Sequence, residues 1–232
     1  MKEALLEGLA SLGLVLTLEQ ADTFCRFGEE LIEKNKVMNL TAITEPQEVA
    51  RLHFLDCMAL LNVADFQNKT VIDVGCGAGF PGVPLKIAES SLRLTLLDSL
   101  KKRIDWLSQV LPEIGVEAEC VSARAEEYAV EHRESYDMAV SRAVARLNML
   151  AELCLPLVKV GGTFVAMKST DSDEEISQAA RGIGMLGGKV EKIIDYPVPG
   201  TDTVHRAVVI RKVKKTPGQY PRRFAKIKQS PL

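Results

Sequence analysis

The chain has 232 residues, 47% of them hydrophobic and 26% charged, which suits a soluble globular protein with one large domain plus an extension. No apolar run approaches the roughly 20 residues that a membrane span needs, and the start, MKEALLEGLASLG, is amphipathic with early acids, unlike a signal peptide. Five scattered cysteines without a C-x-x-C pair, and only three histidines, argue against a metal centre and for reduced thiols in a cytoplasmic protein with no membrane partner.

Residues 1–66 read as a helical extension. In LTLEQADTFCRFGEELIEKNK the apolar residues Leu18, Ala21, Phe24, Leu31 and Ile32 recur at helical spacing after a capping box, Thr17-x-x-Gln20. NLTAI breaks that pattern, and Thr44-x-x-Gln47 with Pro46 predicts a second capped helix through EVARLHFLDCMALL. From Thr70 strands alternate with helices: TVIDV, LRLTLLD, VEAECVSA, YDMAVSRA and GGTFVAMK are strands with helical segments between them. GKVEKIIDYPV and HRAVVIRKV are joined by too few residues for a helical crossover, so they form an antiparallel hairpin. The reading is an α/β domain over 67–213, a mostly parallel seven-stranded sheet covered on both faces. Residues 214–232 read as a basic, flexible tail. From Arg211 onward there are eight Lys or Arg and no acid; taking +8 from the net −2 leaves −10 on the rest, a lopsidedness that predicts an anionic partner.

The stretch TVIDVGCGAGFPGVPLKIAE carries the chemistry. Gly75, Gly77 and Gly79 follow a strand and precede a helix, where bare backbone lets a ligand lie across the strand ends. Asp98 ends the next strand, 23 residues beyond Gly75, where a ribose diol would lie. A nicotinamide dinucleotide would want a third glycine where Phe80 stands and an N–H where Pro81 has none. Asp73 inside the strand suits a cationic ligand better than a pyrophosphate. The pattern favours S-adenosyl-L-methionine, with an NAD-dependent oxidoreductase as the alternative. Ala125 and Glu126, after the third strand, are candidates for packing on the adenine ring and meeting its polar edge.

NLTAI, HFLD, VIDVGCGAGFPGVPLKI, LLDSLKKRIDWL, SRAVA and AMK stand in the order and spacing of a known family. From about residue 20 to 213 the chain resembles the bacterial small-subunit ribosomal RNA guanine-N7 methyltransferases, also known as glucose-inhibited division protein B. The resemblance implies a class I, Rossmann-like methyltransferase domain, S-adenosyl-L-methionine as cofactor, and one guanine of 16S rRNA as the substrate, in the free RNA or the small ribosomal subunit. It implies cofactor contacts at Gly75, Phe80, Ala125, Glu126 and Arg142. Asp98 matches the ribose-binding acid of class I methyltransferases generally.

Guanine N7 has an in-plane lone pair and no proton, so direct in-line attack on the methyl needs no general base, and the enzyme's work is positioning. In paired RNA that edge lies in a deep, narrow groove, so the target base must be unpaired or flipped. Asn39, His53, Arg142 and Lys168 are the candidates for positioning it. Thr41 offers a hydroxyl to a base edge, and His53 and Asp56, at i and i+3, are expected to be coupled. Lys168, Lys212, Lys214, Lys215, Arg222 and Arg223 are the expected RNA-binding cations, with Tyr220 and Phe224 among them for stacking. A non-catalytic RNA-binding protein on the same fold remains the other alternative. With no coiled-coil pattern or apolar seam, a monomer is expected.

Overall fold

The computed structural model describes all 232 residues. Two helices lead, α1 (Lys2–Leu12) and α2 (Leu18–Met38), followed by a helical run made of α3 (Pro46–Val49), a π-helical turn (Ala50–Leu55), α4 (Asp56–Met58) and a 3-10 turn (Ala59–Asn62). The strands are β1 (Thr70–Val74), β2 (Arg93–Asp98), β3 (Glu119–Ser122), β4 (Tyr136–Arg142), β5 (Val158–Ser169), β6 (Gly188–Pro197) and β7 (Val204–Lys212). Between and after them lie α5 (Gly82–Ala88), α6 (Lys101–Glu113), α7 (Ala125–Glu131), α8 (Leu147–Cys154), α9 (Asp173–Met185) and α10 (Phe224–Gln229).

The capping box at α2 forms in both directions: the Gln20 N–H donates to Thr17 Oγ1 at 3.1 Å and the Thr17 N–H donates to Gln20 Oε1 at 2.8 Å. The Gln20 amide also donates to the carbonyls of Ile87 and Ala88, so one side chain starts α2 and ties it to the end of α5. The second expected box is corrected. Glu45, not Thr44, is the N-cap of α3 and makes no side-chain cap; Pro46, whose φ is already helical, starts the helix.

Strand order is β3-β2-β1-β4-β5-β7-β6, parallel from β3 to β5, with β7 antiparallel to both β5 and β6. The expected hairpin is present, with β7 inserted beside β5. Side chains alternate between two apolar layers, as a sheet covered on both faces requires. Val71, Leu96 and Val140 face one layer with α5, α6 and the N-terminal helices; Ile72, Leu97 and Ala139 face the other with α8 and α9. Phe24, Phe27 and Phe54 of the extension are fully buried in the same cluster as Val83 and Trp106, so the extension completes the domain's core. Each such phenylalanine contributes roughly 2–3 kcal/mol of apolar burial.

The expected flexible tail is also corrected, because residues 214–232 pack along the α8 face. Thr216, Tyr220 and Ile227 are buried, Arg133 donates to the carbonyls of Thr216, Pro217 and Tyr220, and Arg222 pairs with the buried Glu152.

Candidate active site

The sheet order reverses between β1 and β4, and at the carboxyl ends of these strands lies a cleft of about 450 Å³. The glycine loop forms its floor. The N–H groups of Gly75 and Cys76 both donate to the Leu97 carbonyl, at 2.7 and 3.2 Å, which bends the chain over the end of β2. Gly75 has φ +73°, and a Cβ there would come within 2.5 Å of Val144. Gly77 has φ +58°, and a Cβ there would meet only the Arg103 guanidinium at 3.9 Å; the space above it is open cleft. Asp98 closes the loop from below: one carboxylate oxygen accepts the Gly77 N–H at 2.9 Å and the other accepts the Leu100 N–H at 2.8 Å. A carboxylate has about four acceptor positions, so capacity for a diol remains. These residues fit an adenosyl ligand: a bare main-chain cradle, a fixed carboxylate, and an apolar wall of Leu97, Leu100 and Leu153.

At one end of the cleft lie Ala125 and Glu126, at the start of α7, and Phe224 of the C-terminal segment also lines it. The Arg124 guanidinium sits 4.7 Å over the Phe224 ring. At the other end a connected polar network faces the cleft. Arg142 Nη1 donates to the Leu52 carbonyl at 3.3 Å and to Asp56 at 3.2 Å, and Nη2 donates to His53 Nδ1 at 3.1 Å. Asp56, 1% exposed, also accepts from Tyr196 Oη at 3.1 Å and from His205 Nδ1 at 2.8 Å. Phe80 is the platform, with the His53 ring stacked 4.6 Å away and the Arg142 guanidinium 4.8 Å over its face. Burial, and then the Arg142 charge, push His53 down to about 4, so it is a neutral imidazole. The bond to Asp56 raises His205. Three of the five guanidinium donors of Arg142 are used by this network, and two remain for a ligand.

The structure therefore brings Gly75, Gly77, Phe80, Asp98, Ala125, Glu126, Arg142, His53 and Thr41 to one cleft. Other expected site residues stand elsewhere, each for a physical reason. Asp73 is 0% exposed beneath the loop, where Oδ2 accepts the Gly82 N–H at 2.7 Å and Oδ1 has no partner; burial pushes its carboxyl up to about 7. Gly79 is buried, a Cβ there coming within 2.7 Å of Val83, so it serves close packing of loop on helix. Asn39 is exposed, ending α2 at φ +51°, a left-handed position that asparagine tolerates. The expected His53–Asp56 bond is absent, and Arg142 joins the two instead. Lys168 donates to the Ala145 carbonyl at 2.7 Å and pairs with Glu175 at 2.6 Å, holding the loop after β4.

Of the expected RNA cations, Lys212 is 0% exposed and donates to the Leu155 and Val158 carbonyls, beside Glu134. Arg222 is spent on Glu152. Lys214 and Lys215 are exposed, but they follow β7, whose antiparallel course ends where β5 begins, at the end of the sheet opposite the cleft. Arg223 is exposed beside Phe224. Sequence reasoning missed Asn35, whose Oδ1 accepts the N–H groups of Leu40 and Thr41 and whose Nδ2 donates to the Thr41 carbonyl. It also missed His205 and Tyr196, which only the fold of β6 and β7 carries to Asp56.

The sequence profile of a family described as rRNA small subunit methyltransferase G matches residues 20–198. The chain belongs to this family. This methyltransferase is 46% identical over 213 residues to a ribosomal RNA small subunit methyltransferase G of Clostridium botulinum (strain Loch Maree), covering 90% of this chain and 89% of the relative. A relative of the same name in Acetivibrio thermocellus is 42% identical over 235 residues, covering 100% of this chain and 97% of its own length. Among solved structures, a methyltransferase from Pyrococcus furiosus superposes with a TM-score of 0.54 at 11% identity, covering 82% of this chain and 97% of that one. P. horikoshii TYW2, in complex with MeSAdo, superposes with a TM-score of 0.55 at 14% identity, over 68% of this chain and 62% of that one. These structural likenesses are of fold alone, the α/β methyltransferase fold. The family replaces the nicotinamide alternative, in keeping with a glycine loop that offers Phe80 and Pro81 where a pyrophosphate would need bare backbone. No helix of the methyltransferase is long and apolar enough to cross a membrane.

Proposed function

We propose that this methyltransferase takes S-adenosyl-L-methionine in the cleft and methylates N7 of one unpaired guanine of 16S rRNA, as free RNA or in the small ribosomal subunit, by direct in-line transfer. Bound there, the cofactor supplies a methyl group on a sulfonium. Gly77 and Asp98 support the ribose end, Ala125, Glu126 and Phe224 the adenine end, and the two unused donors of Arg142 suit the methionine carboxylate.

The observation that carries the reading is the lack of an available base at the Arg142 end. His53, the titratable group nearest, has its Nδ1 engaged by Arg142 and is held neutral at about 4. Asp56 is enclosed by Arg142, Tyr196 and His205. An exocyclic amine or a ribose hydroxyl would have to lose a proton, whereas guanine N7 has none to lose. His53, Arg142 and Phe80 then act by holding the base plane in line with the methyl group and excluding water. Arg223, exposed at the cleft's C-terminal wall, suits a backbone phosphate. The protein works as a monomer, and in the cytoplasm, where its five unpaired cysteines stay reduced.

The test is to incubate the protein with 16S rRNA, separately with 30S subunits, and with methyl-labelled cofactor, and then to map the product. Chain cleavage at one labelled guanosine after reduction and aniline treatment, the behaviour of an N7-methylated base, is the expected result. Label on a ribose or an exocyclic amine would overturn the proposal.

A further inference from the structure

We infer that the Thr41 hydroxyl is a fixed hydrogen-bond donor that reads the O6 carbonyl of the target base and so selects guanine over adenine. The inference rests on the N7 reading above and adds the residue that sets base identity.

Proton directions are fixed along one chain of contacts. An arginine guanidinium can only donate. Its Nη2 lies 3.1 Å from His53 Nδ1, so Nδ1 is the acceptor and carries no hydrogen. A neutral imidazole has its one proton on the other nitrogen, so His53 Nε2 is N–H. Nε2 lies 2.8 Å from Thr41 Oγ1 and therefore donates to it. The Ile43 N–H donates to the same oxygen at 3.0 Å. Both lone pairs of Thr41 Oγ1 are then occupied. Its own hydrogen remains, no protein atom accepts it, and the residue lines the cleft.

That donor is pre-set before any base arrives. Asn35 clasps the Thr41 backbone on both sides, accepting its N–H at 2.9 Å and donating to its carbonyl at 2.9 Å. His53 is fixed in turn by Arg142 and by stacking on Phe80. Arg142 thus dictates, through His53, which way a threonine proton points.

A lone donor asks for an acceptor. It cannot be N7, because a hydrogen bond there would occupy the lone pair that attacks the methyl. The neighbouring group on the same base edge decides the outcome: guanine presents the O6 acceptor, whereas adenine presents an N6 amino donor. Adenine also has N7, so without such a donor the cleft would have little means of refusing it. With it, adenine sets donor against donor and leaves both unpaired.

The experiment uses the full chain and an rRNA fragment in which the target guanosine is replaced by 2-aminopurine ribonucleoside, which keeps N7 and bears only hydrogen at C6. Single-turnover rates are measured on both RNAs for the wild type, Thr41→Ser and Thr41→Val, with cofactor affinity measured by calorimetry. The wild type should prefer guanine by about tenfold to a hundredfold, the usual scale for leaving a built polar contact unmatched. Thr41→Ser should keep that preference. Thr41→Val should be slow on guanine and lose most of the preference while binding the cofactor normally. Comparing preferences cancels both the intrinsic difference in N7 reactivity and any general slowing of the variant.

A preference unchanged in Thr41→Val would overturn the inference, as would a wild type indifferent to the replacement. So would weaker cofactor binding in a folded Thr41→Val, which would mean that the proton serves the methionine carboxylate instead. If the valine variant fails to fold, the serine variant and the wild type decide: both must discriminate. A wild type that methylates guanine N7 without discriminating sinks Thr41's role alone. A wild type that puts no methyl on N7 sinks the reaction itself.

Discussion

Replacing Arg222 with alanine tests whether the basic C-terminal segment is a structural strap or a free RNA arm. Glu152 is 0% exposed and accepts three bonds from Arg222: the backbone N–H at 2.9 Å, Nε at 2.8 Å and Nη2 at 2.6 Å. Arg222→Ala removes the two charged bonds and leaves a buried carboxylate holding one amide. Breaking a buried ion pair from one side costs about 3–5 kcal/mol, and the surviving amide bond puts this case near the lower end, about 3 kcal/mol. A chain of this length has a urea slope near 3 kcal/mol per molar, so the unfolding midpoint should fall by about 1 M. Trp106, the single tryptophan and a buried one, reports the core by fluorescence, and circular dichroism checks that both probes give one transition. Arg222→Lys, which keeps charge without the two-pronged geometry, should fall between the two. A midpoint within about 0.2 M of wild type, together with weaker and less salt-dependent RNA binding, would rule out the strap and return Arg222 to the phosphates.

Gly77→Asp should leave the fold intact, because aspartate tolerates the left-handed φ of +58°, yet weaken S-adenosyl-L-methionine binding by about a hundredfold or more by setting a second carboxylate in the cleft beside Asp98; calorimetry reads it, and undiminished affinity would contradict the cradle. Phe224→Ala should raise the cofactor Kd by about tenfold through loss of an aromatic side chain lining the cleft, while an unchanged Kd would remove Phe224 from the pocket. Asp73, raised from 3.8 to about 7 by burial, binds its proton more tightly folded than unfolded. Its contribution is therefore fully present below about pH 4 and is lost as pH climbs to about 7, a fall of about 4 kcal/mol at most. Urea unfolding of wild type and Asp73→Asn at pH 5 and pH 8 should show a smaller loss of stability in the variant, and equal losses would mean that Asp73 is not the titrating group.

Much of this fold is legible along the chain because its determinants are local. A capping box closes over three residues, so Thr17 and Gln20 announce α2 without help from the rest of the molecule. Short, near-continuous apolar runs mark the strands, and the short connection before Val204 requires a reversal. The glycine loop is readable for the same reason: Gly75 and Gly77 take left-handed backbone angles that most side chains resist, whatever surrounds them. Thr44-x-x-Gln47 shows the limit of such reading, since the same local pattern formed no cap once Pro46 could start the helix one residue later.

What local pattern could not decide is what each charge meets. Lys212, Lys214, Arg222 and Arg223 look alike in a basic run, yet one is sealed under two carbonyls, one stands at the far end of the sheet from the cleft, one neutralises a buried glutamate, and one remains free near the cleft. Asp73 looked like a ligand contact and proved to be the loop's foundation. Asp56 meets His205 across 149 residues, a contact that exists only because β7 inserts beside β5. Local pattern along the chain sets the order of elements, the bare turn at the sheet's mouth and the family. Which ionisable groups face ligand and which face one another is settled in the folded chain alone, because the cost of burying a charge is set by partners that folding gathers from distant parts of the chain.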